Sequence, residues 1–333
     1  TIKGGAGIMA ILSGLYTDPI AAMVREYLTN MYDAHLALKK HDPKAAEKAP
    51  PCIIIAPSIL GPELVFMDYG IGMSLETVLQ VYTQYGNSTK SDSDEEVGGF
   101  GLGAKTAFCY NNGSTWTIES RHGGERHIFM ACISAAGIPS MAHVSSEPST
   151  AHTGVTIRMP ILRADTERTQ KAINDLIPFF PIPVEVQGGK IENENLWDRL
   201  IMEGKNWKMT KFEEGASWGR NPRLYVVMGN VPYLVPEAKI SSCIPSPAGT
   251  HTANTFSSWL RDTKSDLYVW VPVGACNIVP SRDGLQFTQR TNDALRSCLA
   301  EFMSDLRVTL SARLDACVTR WEAINLINEM SDA

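Results

Sequence analysis

The stretch Arg25-Glu26-Tyr27-Leu28-Thr29-Asn30-Met31-Tyr32-Asp33-Ala34 decides how this chain reads, and it is predicted to be helical. Asp18 supplies an N-cap, Pro19 suits the first helical position, and Ile20, Met23, Val24, Tyr27, Leu28 and Met31 recur at helical spacing. A continuous helix aligns Glu26, Asn30 and Asp33, at i, i+4 and i+7, on a face opposed to that apolar stripe. Three polar groups so aligned suit a magnesium nucleotide. An amide oxygen joins the metal's hard-oxygen shell, and a carboxylate one turn away orients water. A solvated helix face is the competing explanation, and the stretch read alone favours it.

Outward from this helix, residues 39–51 form a charged connection ending in Pro50 and Pro51, in which no strand persists. Cys52–Ala56 and Glu63–Met67 are apolar runs of strand length and read as an antiparallel pair. The second leads into Asp68-Tyr69-Gly70-Ile71-Gly72, an acid at a strand end followed by two glycines that permit positive φ and close backbone approach. An ionised carboxylate only accepts hydrogen bonds and so complements the exocyclic amine of adenine, although an ordinary turn acid has the same local sequence. Residues 75–85 read as a short helix and 87–96 as a polar, acidic loop.

That loop delivers Gly98-Gly99-Phe100-Gly101-Leu102-Gly103-Ala104-Lys105, with a helix continuing beyond it. Glycines running into a helix start present N–H groups to an anion, and Lys105 adds a point charge for phosphate. A P-loop is disfavoured because Ala104 separates Gly103 from Lys105 and an acidic loop precedes the glycines. A Rossmann fingerprint fails because the glycines run Gly99-x-Gly101-x-Gly103 with no strand leading in. A glycine hinge is the remaining structural explanation. Further strands are expected over 114–120, 127–133 and 154–159, with Gly123-Gly124 turning a hairpin. Thr156 faces away from Val155 and Ile157, either filling the strand or offering its hydroxyl to a base.

With 333 residues, 44% of them hydrophobic and 20% charged, the chain suits about two domains of an ordinary globular protein. A net charge of −6 disfavours nonspecific nucleic-acid binding, and a nucleic-acid partner is unproven. Seven scattered cysteines without a Cys-x-x-Cys pair suit a reducing cytosol. No apolar run approaches the roughly 20 residues of a membrane span, so any membrane association is expected through a partner. The absence of an initiator Met suggests a trimmed or excerpted chain.

Four boxes, Glu26-x-x-x-Asn30-x-x-Asp33-Ala34, Asp68-x-Gly70-x-Gly72, Gly99-x-Gly101-x-Gly103 and Gly154-x-Thr156, occur in one order over about half the chain. This order resembles the Bergerat-fold (GHKL) ATPases, the group of DNA gyrase, the large heat-shock chaperones, histidine kinases and MutL. The resemblance implies an α+β chain. Residues 1–185 would form a Bergerat-fold ATP-binding sandwich, and 186–333 a transducer-like domain of the ribosomal protein S5 type with a long C-terminal helix. It also implies ATP and Mg2+ as cofactors, with Glu26 as the general base and Asn30 as the metal ligand. Asp68 would bind the adenine amine with help from Thr156, and Asp33 would support the nucleotide face. Gly70 and Gly72 would shape the base pocket, while Gly98, Gly99, Gly101 and Gly103 would form a lid over the phosphates, with Lys105 just beyond it.

Within that group, Val24–Asn30, Tyr85–Lys90 and Val97–Gly103 are phrased most like the phage rIIA-type proteins, associated with lysis timing and with protection against host exclusion. That likeness implies a host-cytoplasmic address and a host or phage protein partner. In the second half, strands are expected near 183–187, 223–228 and 266–271, with Gly229-Asn230 as a hairpin turn and 236–265 as a loop or lid. Apolar residues from Leu295 to Ile324 recur every three or four positions, giving one long helix or two consecutive ones that serve the core or a dimer contact. Pro280-Ser281-Arg282-Asp283-Gly284-Leu285-Gln286 is similar to the chaperones' middle-domain catalytic segment, which makes Arg282 and Gln286 candidate γ-phosphate contacts. A surface turn with a locally paired arginine fits that segment equally. The expected activity is ATP hydrolysis with lid closure and homodimerisation. A nonhydrolytic ATP-gated interaction module is the alternative, as is another prokaryotic ATPase of chaperone or DNA-repair type.

Overall fold

In the computed structural model, which describes residues 14, 16–83, 106–110, 114–135, 138–189, 195–212, 222–243, 260 and 263–331, the first long helix is α1 (Pro19–His41). Its start is set as the sequence predicts. The Asp18 carboxylate accepts from the N–H groups of Ile20 and Ala21, both at 3.0 Å, and Pro19 at the first position has no N–H of its own to satisfy. The connection after it is not plain loop but contains a short helix, α2 (Pro43–Lys48). Asp42 and Pro43 repeat the capping arrangement of Asp18 and Pro19, with Asp42 accepting from the Ala45 N–H.

The chain then runs through β1 (Cys52–Ile55), β2 (Glu63–Met67), α3 (Leu75–Thr83), α4 (Thr106–Cys109), β3 (Trp116–His122), β4 (Glu125–Ile133), β5 (Pro139–Pro148), β6 (Gly154–Pro160), α5 (Thr166–Leu176) and β7 (Val184–Gln187). The strands form one sheet in the order β5-β4-β3-β6-β2-β1-β7. Every pairing is antiparallel except β1 with β7. The candidate strand at 183–187, read from the sequence with the second half, is therefore the edge of the first sheet. The chain divides into two compact units, Thr1–Asn193 and Glu194–Ala333.

Strand alternation gives the first sheet two unlike faces. Ile54, Leu64, Phe66, Ile118, Phe129, Ile157 and Met159 meet Ile20, Met23, Val24, Tyr27 and Leu28 of α1 and Ile173 of α5 in one core. Tyr27 stacks on Phe66 with ring centroids 5.5 Å apart. The opposite face carries ion pairs instead: Arg121–Glu119 at 3.1 Å, Arg126–Glu119 at 2.8 Å, Arg126–Glu147 and Arg158–Glu63 at 3.5 Å. Helices thus cover the face toward which the end of β2 and its following turn are directed.

The second unit contains β8 (Leu200–Glu203), β9 (Trp207–Lys211), β10 (Leu224–Met228), β11 (Val231–Val235), α6 (Glu237–Cys243), β12 (Ser265–Val271), α7 (Gln289–Asp315) and α8 (Arg320–Ser331). Its sheet runs β11-β10-β12-β9-β8, with only β10 and β12 parallel. The long C-terminal apolar repeat resolves into two helices, because α7 ends at Asp315. Leu295, Leu299, Phe302 and Leu306 of α7 pack with Trp207, Met209, Val226 and Leu267. Phe302 meets Trp207 edge-on at 5.0 Å, and Asp305 accepts from the Trp207 indole at 2.7 Å. Truncating Phe302 to Ala should destabilise this unit by about 3–5 kcal/mol through lost burial and the cavity left behind. Urea denaturation of the full chain, followed by tryptophan fluorescence, checks it.

Candidate functional site

Because α1 is continuous from Pro19 to His41, Glu26, Asn30 and Asp33 do share a face. That face is not solvated. Glu26 is only 3% exposed, and Asn30 and Asp33 are partly buried. Arg25 is buried beside it, with its Nε 3.8 Å from Glu26 Oε1, and Thr29 satisfies its hydroxyl by donating to the Arg25 carbonyl at 2.9 Å. Burying a carboxylate away from the apolar stripe is expensive unless the group is engaged, so this geometry removes the solvated-face explanation.

The turn after β2 is brought against this helix. A Cβ placed on Gly70 would lie 2.8 Å from the Ala34 Cβ and 2.9 Å from the Ala34 carbonyl oxygen. The small residues at 34 and 70 therefore let the end of the polar helix face touch the turn, main chain against main chain. Gly72 has φ +69°, and a Cβ there would meet the Arg121 carbonyl oxygen at 2.0 Å. Gly154 has φ +138°, and its Cβ would lie 2.1 Å from the Asp68 carbonyl oxygen. Each of these positions requires glycine for space, and the latter two also for conformation.

Asp68 itself is 8% exposed, on the core face alongside Cys52. Its Oδ1 accepts from the Gly70 N–H at 2.9 Å and from the Val155 N–H at 3.3 Å. Among the described residues both hydrogen bonds to this carboxylate fall on Oδ1, leaving Oδ2 as the oxygen able to receive a ligand donor. Burial pushes the Asp68 carboxyl up to about 6, against the opposing pull of those two N–H groups and of the Arg121 charge. The neighbouring Cys52 thiol is pushed up to about 11, first by burial and then by Asp68.

The other predicted residues distribute unevenly. Thr156 is buried in β6 opposite Met67, so strand alternation turns it to the ion-pair face, away from Asp68. There its hydroxyl accepts from Arg121 at 3.3 Å. Its neighbour Val155 reaches Asp68 instead, through the backbone. Gly98, Gly99, Gly101, Gly103 and Lys105 lie outside the described residues. Arg282 and Gln286 belong to the second unit. Arg282 is 7% exposed at φ +56°, in a turn closed by a hydrogen bond from the Val279 N–H to the Gly284 carbonyl at 3.0 Å. A buried, non-glycine residue with a left-handed backbone is unlike an arginine solvated on a surface turn. Sequence reasoning missed Ser120, Thr153 and Val155, all of which contact the Asp68 turn. Nothing in their local sequence marked them: Ser120 lies within β3, Thr153 directly precedes Gly154, and Val155 directly follows it.

Together, these elements present a buried carboxylate on a helix, an amide oxygen one turn on, and a second carboxylate with one free oxygen in a glycine turn touching that helix. Residues 19–150 match the family model described as histidine kinase-, DNA gyrase B-, and HSP90-like ATPase. The match contains Glu26, Asn30, Asp33, Asp68, Gly70, Gly72 and the 98–105 glycine segment, and stops just before β6. It supports a Bergerat-fold, ATP-binding domain over that stretch. No curated protein matches the chain.

The Asp68 carboxyl has a testable consequence without any ligand. Its folded-state value lies above the ordinary 3.8, so its contribution to stability is fully present below that value and is lost as pH rises through about 6. The cost of ionising it in the fold approaches ~3 kcal/mol. Asp68→Asn should therefore gain about 2 kcal/mol of stability relative to wild type on going from about pH 4.5 to about pH 7.5. Urea denaturation of both proteins at the two pH values measures this difference.

Proposed function

We propose that the first unit binds ATP with its adenine amine on Asp68 Oδ2 and hydrolyses it with Glu26 as the general base that positions water. The observation that carries this reading is the backbone contact between Ala34 and Gly70. It joins the helix bearing the buried Glu26 to the turn bearing the buried Asp68. The match to an ATPase family over the same stretch supports it.

Magnesium fits the donor set present. Mg2+ takes hard oxygen ligands, commonly one or two from protein and the remainder from phosphate and water. Asn30, partly buried one turn from Glu26, supplies one such oxygen. No cluster of three His, Cys, Asp or Glu side chains suited to hold a metal occurs among the described residues. When bound, the ion would neutralise phosphate charge. Glu26 holds and accepts the water's proton, Asp68 selects the base, and Asp33 supports the nucleotide face.

In this reading the segment 98–103 closes over the phosphates with Lys105 beside it, and closure promotes homodimerisation. The part of the chain beyond the first unit acts as a transducer. Arg282 and Gln286 of that part reach the γ-phosphate, and the buried, left-handed setting of Arg282 supports a positioned guanidinium. The phrasing of Val24–Asn30, Tyr85–Lys90 and Val97–Gly103 supports a phage rIIA-like role in countering host exclusion or affecting lysis timing, acting in the host cytoplasm.

Hydrolysis and binding are separable by substitution. Glu26→Ala should lower turnover at least about 100-fold while ATP affinity stays within about twofold, as expected for loss of a general base. Phosphate release and calorimetric titration with Mg-ATP measure the two quantities. Turnover in the variant equal to wild type would remove Glu26 from the mechanism. ATP binding without turnover in either protein would favour the nonhydrolytic switch.

A further inference from the structure

Among the described residues the chain between Asp68 and α3 has no ladder partner, and the main-chain groups of Gly70, Ile71 and Met73 are held by side chains: Asp68 itself, two residues of β3 and Thr153 just before β6. Ser120 is fully buried, and its Oγ both accepts from the Met73 N–H at 2.8 Å and donates to the Met73 carbonyl at 2.7 Å. Thr153 donates its hydroxyl to the Gly70 carbonyl at 2.7 Å. The Gly70 N–H, on the other side of the same residue, is the stronger of the two donors to Asp68 Oδ1. His122 Nδ1 lies 2.9 Å from the Ile71 carbonyl and, facing an acceptor, is the protonated nitrogen. The turn is thus pinned at Gly70, Ile71 and Met73 by residues remote in sequence.

We infer that Ser120 and Thr153 are positioning residues for base recognition, holding the Gly70–Met73 backbone so that Asp68 presents Oδ2 in one orientation. Neither contacts the nucleotide. Ser120 has no exposed surface, and the Thr153 hydroxyl is committed to Gly70. The inference rests on the reading of Asp68 as the adenine acceptor. It adds that selectivity depends on how tightly the turn is held: a carboxylate fixed against an amine accepts from adenine, whereas guanine presents a carbonyl oxygen at that position and is repelled. A carboxylate free to swing discriminates less.

The test uses the full chain with Ser120→Ala, Thr153→Val, Thr153→Ser and Asp68→Ala. ATP and GTP affinities are measured by calorimetry, kcat and KM by phosphate release, and folding by thermal melts. Ser120→Ala, which loses two part-buried hydrogen bonds, and Thr153→Val, which loses one, should each weaken ATP binding by up to about tenfold and should narrow the preference for ATP over GTP. Their kcat should stay within about twofold of wild type, and Thr153→Ser, which keeps the hydroxyl, should restore both affinity and preference. A lowered melting temperature with unchanged ATP affinity and unchanged ATP/GTP ratio would overturn the inference and leave Ser120 and Thr153 merely structural. Thr153→Val decides the matter if Ser120→Ala does not fold, since it leaves no cavity in the core. Asp68→Ala binding ATP as tightly as wild type would overturn the underlying assignment. Loss of binding in Asp68→Ala alone would overturn only the role given to the two hydroxyls.

Discussion

Three backbone approaches hold the candidate site together: Gly70 on Ala34, Gly72 on the Arg121 carbonyl and Gly154 on the Asp68 carbonyl. A Cβ at any of them would fall within 2.0–2.8 Å of another atom, a separation that real Cβ contacts do not tolerate. Helix α1, the turn after β2, the end of β3 and the start of β6 are thereby forced to one point. Everything chemically interesting in the first unit follows from that convergence. It puts a helix bearing a buried glutamate against a turn bearing a buried aspartate, on the side of the sheet that helices cover.

The electrostatic consequence is that two carboxylates are kept out of bulk water by different means. Glu26 sits beside a buried arginine on one helix. Asp68 is held by two backbone N–H groups on a single oxygen, with burial winning over those bonds and raising its pKa. A protein stores free energy in such a group only while the fold over-determines its place, and here the over-determination comes from glycines and neutral hydroxyls. An incoming amine would repay part of the desolvation cost by giving Oδ2 a donor. Stability and recognition are then linked through one oxygen atom.

Much of this was legible in the sequence, and the reasons are local. The Asp18–Pro19 start, the apolar stripe of α1 and the paired strands around Ile54 and Phe66 are short-range patterns, and they appear where propensity and periodicity put them. The glycines at 70 and 72 announced a tight turn, though not what they were tight against. What was illegible depends on long-range packing. β5 is an edge strand whose outer half, Ser145-Ser146-Glu147, lacks apolar alternation, and β7 looked like the opening of another domain until its partner β1 was known. The placement of Thr156 turned on register: opposite Met67, it must face away from Asp68, and its neighbour Val155 makes the contact through its backbone. Ser120 and Thr153 carried no signal because a serine in a strand and a threonine before a glycine are ordinary. Only their partners, 47 and 83 positions away, give them meaning.

The most direct measurement of the central claim is a crystal structure of the full chain with a nonhydrolysable ATP analogue and magnesium. The account requires the adenine amine within about 3 Å of Asp68 Oδ2, with Oδ1 still bonded to Gly70 and Val155 and the phosphates toward Asn30 and Glu26. A purine bound away from Asp68, or an analogue whose phosphates lie away from α1, would contradict it.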